Sequence, residues 1–141
     1  MTPTKEKEKS LSTLIKELDI VFGNFIKLRD TKDGVIRCFV CHKPIPRNEA
    51  EVLHFIGRQS MPVRFHEQNC NTGCYECNRL DTDHMVKYLI RMNEVYGEDT
   101  VLYLTRQSKS LQKWMPFEIK AMIEEYKNKI AILQGKTLAI K

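Results

Sequence analysis

Cys38-Phe-Val-Cys41 and Cys74-Tyr-Glu-Cys77 are the two stretches that decide the fold of this 141-residue chain. Each is a C-x-x-C pair that can place two thiolates on one ion, and four such ligands suit a tetrahedral zinc ion. A fifth cysteine, Cys70, stands outside both pairs and is expected to be a small packed residue. An odd number of cysteines in a chain without an export signal argues against a disulfide framework. The sequence therefore predicts a structural zinc site at Cys38, Cys41, Cys74 and Cys77.

Two other interpretations of these cysteines stay open at this point. Four thiols could be buried in an apolar core, or the pairs could be redox-active. The redox interpretation lacks the βαβ pattern of thioredoxin-like proteins. Zinc explains both pairs at once and is preferred.

Composition sets the broad class of the protein. With 23 Lys and Arg against 18 Asp and Glu, the net charge of +5 allows a polyanionic partner without requiring one. The length suits one domain with its own core. No apolar run approaches the roughly 20 residues that cross a bilayer. The charged start, Met1 to Lys9, lacks the apolar segment of a secretory signal. We therefore expect a cytoplasmic protein without membrane association.

Apolar periodicity and turn residues predict an α+β chain with one domain. Residues 1–9 are expected to be a disordered tail, and residues 10–141 a single domain. Within it, we expect an N-terminal helix in 10–34, a zinc-held core in 35–96 and C-terminal helices in 97–141. Strands are predicted at 35–37, 51–56 and 63–65, and helices at 11–29, 85–96 and 116–133.

Between the two cysteine pairs lies a group of polar residues in a distinctive order. From Val52 to His66 there is no carboxylate, while two Arg and two His are present, so this segment could lie close to a phosphate backbone. Taken singly, a strand histidine is more often a packed residue, and an asparagine beside a turn is usually part of the turn. Here His54 is followed by Asn69 fifteen positions later and by Asn78 nine positions after that.

This order resembles the HNH nuclease motif in its H-N-N variant. Several phrases are also similar to the phage recombination proteins NinG or Rap: Leu28-Arg29-Asp30, His54-Phe-Ile-Gly-Arg58, Arg64-Phe65-His66-Glu67-x-Asn69, Cys77-Asn78-Arg79 and Tyr96-Gly97-Glu98. The likeness covers roughly residues 12–107. It implies a zinc-clipped ββα-metal HNH core, a short β-hairpin plus a helix, flanked by an N-terminal helix and C-terminal helices. It also implies a metal-dependent DNA endonuclease of phage or prophage recombination, acting in the bacterial host cell on DNA, with Holliday junctions or other branched DNA as candidate substrates.

The resemblance also implies roles for individual residues. His54 would be the general base, which suits an imidazole whose ordinary pKa lies near neutrality. Asn69 would hold the strand ends and aim His54, and Asn78 would bind a catalytic Mg²⁺ or Mn²⁺ ion. The DNA contacts would come from Arg58, Arg64, His66 and Arg79. The zinc ion would hold both ends of the intervening segment, so that His54 and Asn78 converge on one phosphate.

One departure from the HNH pattern leaves the alternatives open. Many HNH enzymes have an acidic metal ligand directly before the base histidine, and Leu53 occupies that position here. Glu51 and His66 are the remaining candidates, although residues 51 and 54 of a regular strand face opposite sides unless the strand is bulged. A non-catalytic, zinc-stabilised nucleic-acid-binding module is the alternative, and a zinc-clipped interaction adaptor is a third. Symmetric junction cutting would favour a homodimer.

Overall fold

The computed structural model describes residues 8–80 and 83–135. The elements run in the order α1 (Leu11–Arg29), β1 (Thr31–Lys32), β2 (Val35–Arg37), β3 (Pro44–Ile45), β4 (Glu51–His54), α2 (Met61–Arg64), β5 (Cys70–Gly73), α3 (His84–Val95), α4 (Glu98–Ser108) and α5 (Pro116–Leu133). The chain is α+β, as predicted, with two small antiparallel sheets, β1–β2–β3 and β4–β5. Most of the expected tail, residues 1–7, lies outside the described residues.

Helix α1 forms where apolar residues recur at helical spacing behind a capping serine. The Ser10 hydroxyl accepts a hydrogen bond of 3.2 Å from the Thr13 backbone N–H, which satisfies one of the free donors at the helix start. The buried face consists of Leu14, Leu18, Phe22, Phe25 and Ile26. It packs on α5, where the rings of Phe22 and Tyr126 meet edge to face at 4.9 Å. The predicted helix over residues 11–29 is confirmed.

The hairpin β4–β5 lies between two helical layers. Glu51 pairs with Gly73 and His54 with Cys70, and the two intervening pairs follow in unbroken register. A strand without a bulge points successive side chains to opposite faces. Glu51 and His54 therefore project from opposite sides of β4.

One face of the hairpin is fastened to α3 by a buried polar chain. Asn71 donates to the Tyr88 hydroxyl at 3.0 Å and accepts from the Tyr96 hydroxyl at 2.8 Å. Tyr88 donates in turn to the carbonyl of Leu53 at 3.0 Å. These bonds satisfy polar groups that would be costly to bury alone, and they orient α3 across both strands.

The prediction of a strand over residues 63–65 is wrong. The chain forms the short helix α2 there, with Pro62 in its first turn. Proline has no N–H for a strand ladder but fits the first turn of a helix. The predicted strand over 51–56 also ends early, at His54, because the Asn69 side chain takes the place of a ladder partner for Ile56.

The two long C-terminal helices belong to different layers. Val101 and Leu104 of α4 join the core shared with α3, whereas Ile119 and Ile123 of α5 join the core shared with α1. The predicted helix over 116–133 is confirmed. Within residues 8–80 and 83–135, no helix combines the length and apolar character that a membrane span requires.

Candidate metal centre and histidine cleft

The four cysteines of the two C-x-x-C pairs come together, as predicted. The sulfur atoms of Cys38, Cys41, Cys74 and Cys77 all lie within 4.8 Å of one another. Those of Cys41 and Cys74 are 3.8 Å apart. A tetrahedron with metal–sulfur bonds of 2.3 Å has edges of about 3.8 Å, so this set fits a metal such as zinc.

The protonation of these thiols couples metal binding to pH. Burial raises the pKa of Cys74 to about 11 and also raises the pKa of Cys77. Burial opposes ionisation of Cys38 as well, but hydrogen bonds from backbone N–H groups outweigh it and lower the pKa of that thiol. Because zinc binds thiolates, loading the site must expel protons, and affinity falls as the solution becomes acidic.

His54 lies at the far end of β4 from the cysteines. Its Nε2 atom is 3.2 Å from the carbonyl oxygen of Arg64. A carbonyl only accepts, so Nε2 carries the proton and Nδ1 keeps its lone pair. Burial, assisted by the charge of Arg58, lowers the pKa of His54 to about 4. The imidazole is therefore neutral at pH 7, with Nδ1 as its proton acceptor.

Asp19 of α1 shares a surface concavity with His54 and Arg58, and this concavity is called the histidine cleft. Its carboxylate accepts a hydrogen bond of 2.8 Å from Arg58 and one of 3.1 Å from Nε of Arg64. A second nitrogen of Arg64 pairs with the same carboxylate. Arg64 is mostly buried, with its side chain 15% exposed, while that of Arg58 is 60% exposed. Arg58 and Arg64, two of the three arginines predicted to contact DNA, therefore already pair with the Asp19 carboxylate, which a phosphate would have to displace.

Asn69 fastens the loop that joins β4 to β5. It is fully buried; its amide oxygen accepts from the Ile56 N–H at 2.9 Å. Its amide nitrogen donates to the carbonyls of Ile56 at 2.9 Å and Val63 at 3.1 Å. These three bonds fix both ends of the segment from Ile56 to Val63. The segment carries Arg58 and ends one residue before Arg64. Such contacts are those expected of a positioning residue, and the catalytic consequence stays a prediction.

Asn78 lies beside Glu51. Its amide donates to a Glu51 carboxylate oxygen at 3.2 Å, and the other carboxylate oxygen accepts from Arg79 at 2.9 Å. Because β4 has no bulge, Glu51 and His54 face opposite sides, with their Cα atoms about 10 Å apart along the strand. The expected convergence of His54 and Asn78 on one phosphate is therefore not what the structure shows.

His66 does not join the group around Asn78. Its Nδ1 accepts from the backbone N–H of Gln68 at 3.2 Å, and its ring lies 5.9 Å from that of Tyr103. Burial lowers the pKa of His66. Among the predicted ligands of the catalytic ion, the structure brings together only Glu51 and Asn78.

A family of known proteins matches this chain. The family model described as "Bacteriophage Lambda NinG protein" matches residues 2–136, nearly the whole chain. This chain belongs to the NinG family. No curated protein and no solved structure matches it. Membership in the NinG family implies a phage protein with a recombination-related role.

Two features of this NinG-family chain were missed at the level of sequence. Asp19 gives no local signal, because an acidic residue on the polar side of an amphipathic helix is commonplace. Arg29 and Asp30 entered only as part of a family resemblance. In the structure, Arg29 donates to the carbonyls of Glu67 at 2.7 Å and Cys70 at 2.9 Å, and so anchors the end of α1 to the start of β5.

Proposed function

We propose that this NinG-family protein is a metal-dependent DNA endonuclease of the HNH type. It would hydrolyse phosphodiester bonds during phage or prophage recombination, with branched DNA as the favoured substrate. The observation that carries the proposal is the setting of His54: a neutral imidazole, with Nε2 3.2 Å from the Arg64 carbonyl, in a concavity that also contains Arg58. A neutral imidazole can take a proton from water, and guanidinium groups bind phosphate.

Phosphate binding would strengthen this base. In the free protein, the positive charge of Arg58 helps to lower the pKa of His54. A DNA phosphate that pairs with Arg58 brings negative charge into the cleft, which raises the proton affinity of the imidazole. His54 Nδ1 then accepts a proton from water as the water oxygen attacks phosphorus and the bond to the leaving oxygen breaks.

Asn78 and Glu51 are the residues that would hold the catalytic cation. A carboxamide oxygen and a carboxylate are hard donors of the kind that Mg²⁺ and Mn²⁺ prefer. Bound there, the ion would supply positive charge to the DNA backbone next to the phosphate that His54 faces. Strand β4 belongs to a two-stranded sheet, so within the described residues no strand pairs with its outer edge. A DNA strand lying along that edge would bring one phosphate to His54 and a neighbouring phosphate to the cation held by Glu51 and Asn78.

A non-catalytic DNA-binding module is the second candidate, and a specific observation favours it. His54 and Asn78 are separated by β4. In addition, Asp19 already pairs with Arg58 and Arg64, the arginines that would bind the scissile phosphate. In this case the four-cysteine site would stabilise the fold, and binding would not lead to cleavage.

Nicking assays separate the two candidates. Supercoiled, linear, flap and four-way-junction DNA are incubated with Mg²⁺ or Mn²⁺ and either wild type or His54→Ala. We expect wild type to cleave and His54→Ala to lose a factor of about 10²–10⁴ in rate. His42→Asn is the matched control, because His42 is exposed, directly follows Cys41 and has a positive φ of 67° that asparagine tolerates.

Binding without cleavage by either protein under any divalent ion would leave the DNA-binding module as the function. The salt dependence of binding provides the second criterion. Phosphate contacts require affinity to fall steeply as salt rises. DNA binding that is insensitive to salt, or no DNA binding, would reject both candidates.

A further inference from the structure

The loop between α4 and α5, residues 109–115, presents apolar side chains to solvent. Leu111 is 96% exposed, and Phe117 in the first turn of α5 is 71% exposed. Single exposed apolar residues are ordinary on protein surfaces. Leu111 is a more specific feature, because it is almost entirely exposed and stands on a loop whose two ends are hydrogen-bonded to the rest of the protein.

The same stretch is basic and free of acid. Residues 100–117 contain no Asp or Glu but include Arg106, Lys109 and Lys113, all of them exposed. In the part of the chain that the structure describes, none of these three cations forms an ion pair. By contrast, the two arginines beside His54, Arg58 and Arg64, both pair with Asp19. Within the described residues, Arg106 at the end of α4 and the two lysines of the loop therefore offer unpaired positive charge to a polyanion.

Two hydrogen bonds hold the loop against the segment that carries the cleft arginines. The Ser60 hydroxyl donates to the carbonyl of Ser108 at 3.2 Å, on one side of the loop. The indole N–H of Trp114 donates to the carbonyl of Met61 at 3.0 Å, on the other side. Ser60 is two residues from Arg58, so Leu111 projects from a base that is fixed relative to the cleft.

We propose that the α4–α5 loop is a DNA-binding wedge: Arg106, Lys109 and Lys113 contact phosphates while Leu111 inserts into the base stack. The choice of DNA as the partner rests on the proposed function. An apolar side chain pushed between bases must break stacking, which costs least where stacking is already interrupted. The wedge would therefore favour branch points over continuous duplex and would give a preference for structure without a preference for sequence.

Fluorescence of 2-aminopurine tests the insertion. The base is placed at the branch point of a four-way junction and, in parallel, within a linear duplex, and the full chain is added without Mg²⁺ or Mn²⁺. We expect wild type to raise the fluorescence of the junction, since unstacking brightens 2-aminopurine. Leu111→Ala should lose this rise and bind the junction about tenfold more weakly, with duplex affinity unchanged. Ile132→Ala, an exposed apolar residue on α5, should behave as wild type.

The charge of the loop is tested by salt titration. The double variant Lys109→Gln/Lys113→Gln should lower the slope of log affinity against log salt by about 1.8 if both lysines contact phosphate. Thermal unfolding checks that every variant folds; the exposure of the changed side chains makes an intact fold the expected result.

Several outcomes would overturn the wedge. One is junction fluorescence and affinity that Leu111→Ala leaves unchanged. Another is a wild type that binds no DNA, and a third is self-association that Leu111→Ala abolishes while DNA binding persists, which would make the loop a protein contact. The two proposals fail separately: a protein that unstacks the junction but never cleaves refutes the endonuclease alone, and one that cleaves without the Leu111 effect refutes the wedge alone.

Discussion

The two ends of strand β4 differ in where their partners come from. At one end, the four cysteines lie in two local C-x-x-C pairs, and the fold needs only to bring the pairs together. At the other end, His54 lies near Asp19, which belongs to helix α1 and comes 35 residues earlier in the chain. It also contacts the carbonyl of Arg64, the last residue of helix α2, ten residues later. A metal centre built from local pairs can be predicted from spacing, whereas a cleft assembled from distant elements cannot.

The largest expected effect on stability comes from the four-cysteine end of β4. Cys41 is exposed. If no metal were bound, Cys41→Ser would change stability by no more than about 0.5 kcal/mol, as is usual at the surface. With a structural zinc ion, we expect the variant to lose the metal and most of the folded population at 37 °C, because metal binding contributes directly to folding. Zinc stoichiometry by mass spectrometry and thermal unfolding measure both effects.

Cys70→Ser is the matched control for that experiment. Cys70 is buried outside the cluster, and burial raises the pKa of its thiol, whose sulfur donates to the Arg64 carbonyl at 3.4 Å. A serine hydroxyl can make the same bond, so zinc content should be unchanged. Equal zinc content in Cys41→Ser and wild type would remove Cys41 from the metal site.

The next effect in size belongs to the loop that carries the cleft. Asn69→Ala removes three hydrogen bonds and leaves the N–H and the carbonyl of Ile56 without the amide they pair with, so we expect a loss of about 2–4 kcal/mol in the free energy of unfolding. Denaturant unfolding measures this loss, and zinc content should stay at wild-type level because the metal end does not depend on Asn69. Asn93→Ala, on the exposed side of α3, should be neutral or slightly stabilising. Similar effects of the two variants would show that the buried amide is not holding the loop.

These contrasts show how far the sequence could be interpreted. The helices over 11–29 and 116–133 and the cysteine cluster were predictable because periodicity and ligand spacing are local properties. The strand over 63–65 was not, because Val63 and Phe65 suit a strand by composition while Ser60 and Pro62 begin a helix. The NinG family was identified from short phrases, yet those phrases could not show that Asp19 pairs with both arginines.

Acidification should lower the stability of the protein through His54, at the other end of β4. The unfolded chain has an ordinary histidine pKa near 6.5, whereas burial lowers the pKa of folded His54 to about 4. Between these values the unfolded state binds more protons, so stability falls as pH drops from 6.5 to 4, by about 3 kcal/mol at most. The difference in unfolding free energy between wild type and His54→Gln, measured across this range, isolates the contribution. A difference that does not vary with pH would contradict a buried neutral imidazole.

The smallest expected effect on stability tests whether the histidine end is an anion site. Asp19→Asn removes the carboxylate that both arginines hold, and leaves Arg64 largely buried without its ion-pair partner. We expect a loss of about 1–2 kcal/mol, measured by thermal unfolding, together with tighter DNA binding, because phosphate no longer competes with a carboxylate. The pKa of His54, followed by NMR, should fall further, since the charge of Asp19 raises it.

Glu17→Gln separates this site-specific effect from a general change in charge. Glu17 lies on the same helix, pairs with Lys9 at the surface, and its substitution changes the net charge by the same amount. If DNA affinity rises equally in both variants, the gain reflects overall charge, and Asp19 does not occupy a phosphate site. A gain confined to Asp19→Asn would mean that the two ends of β4 differ in chemistry as well as construction: four thiols suited to a metal at one end, and at the other a carboxylate in the place of a phosphate.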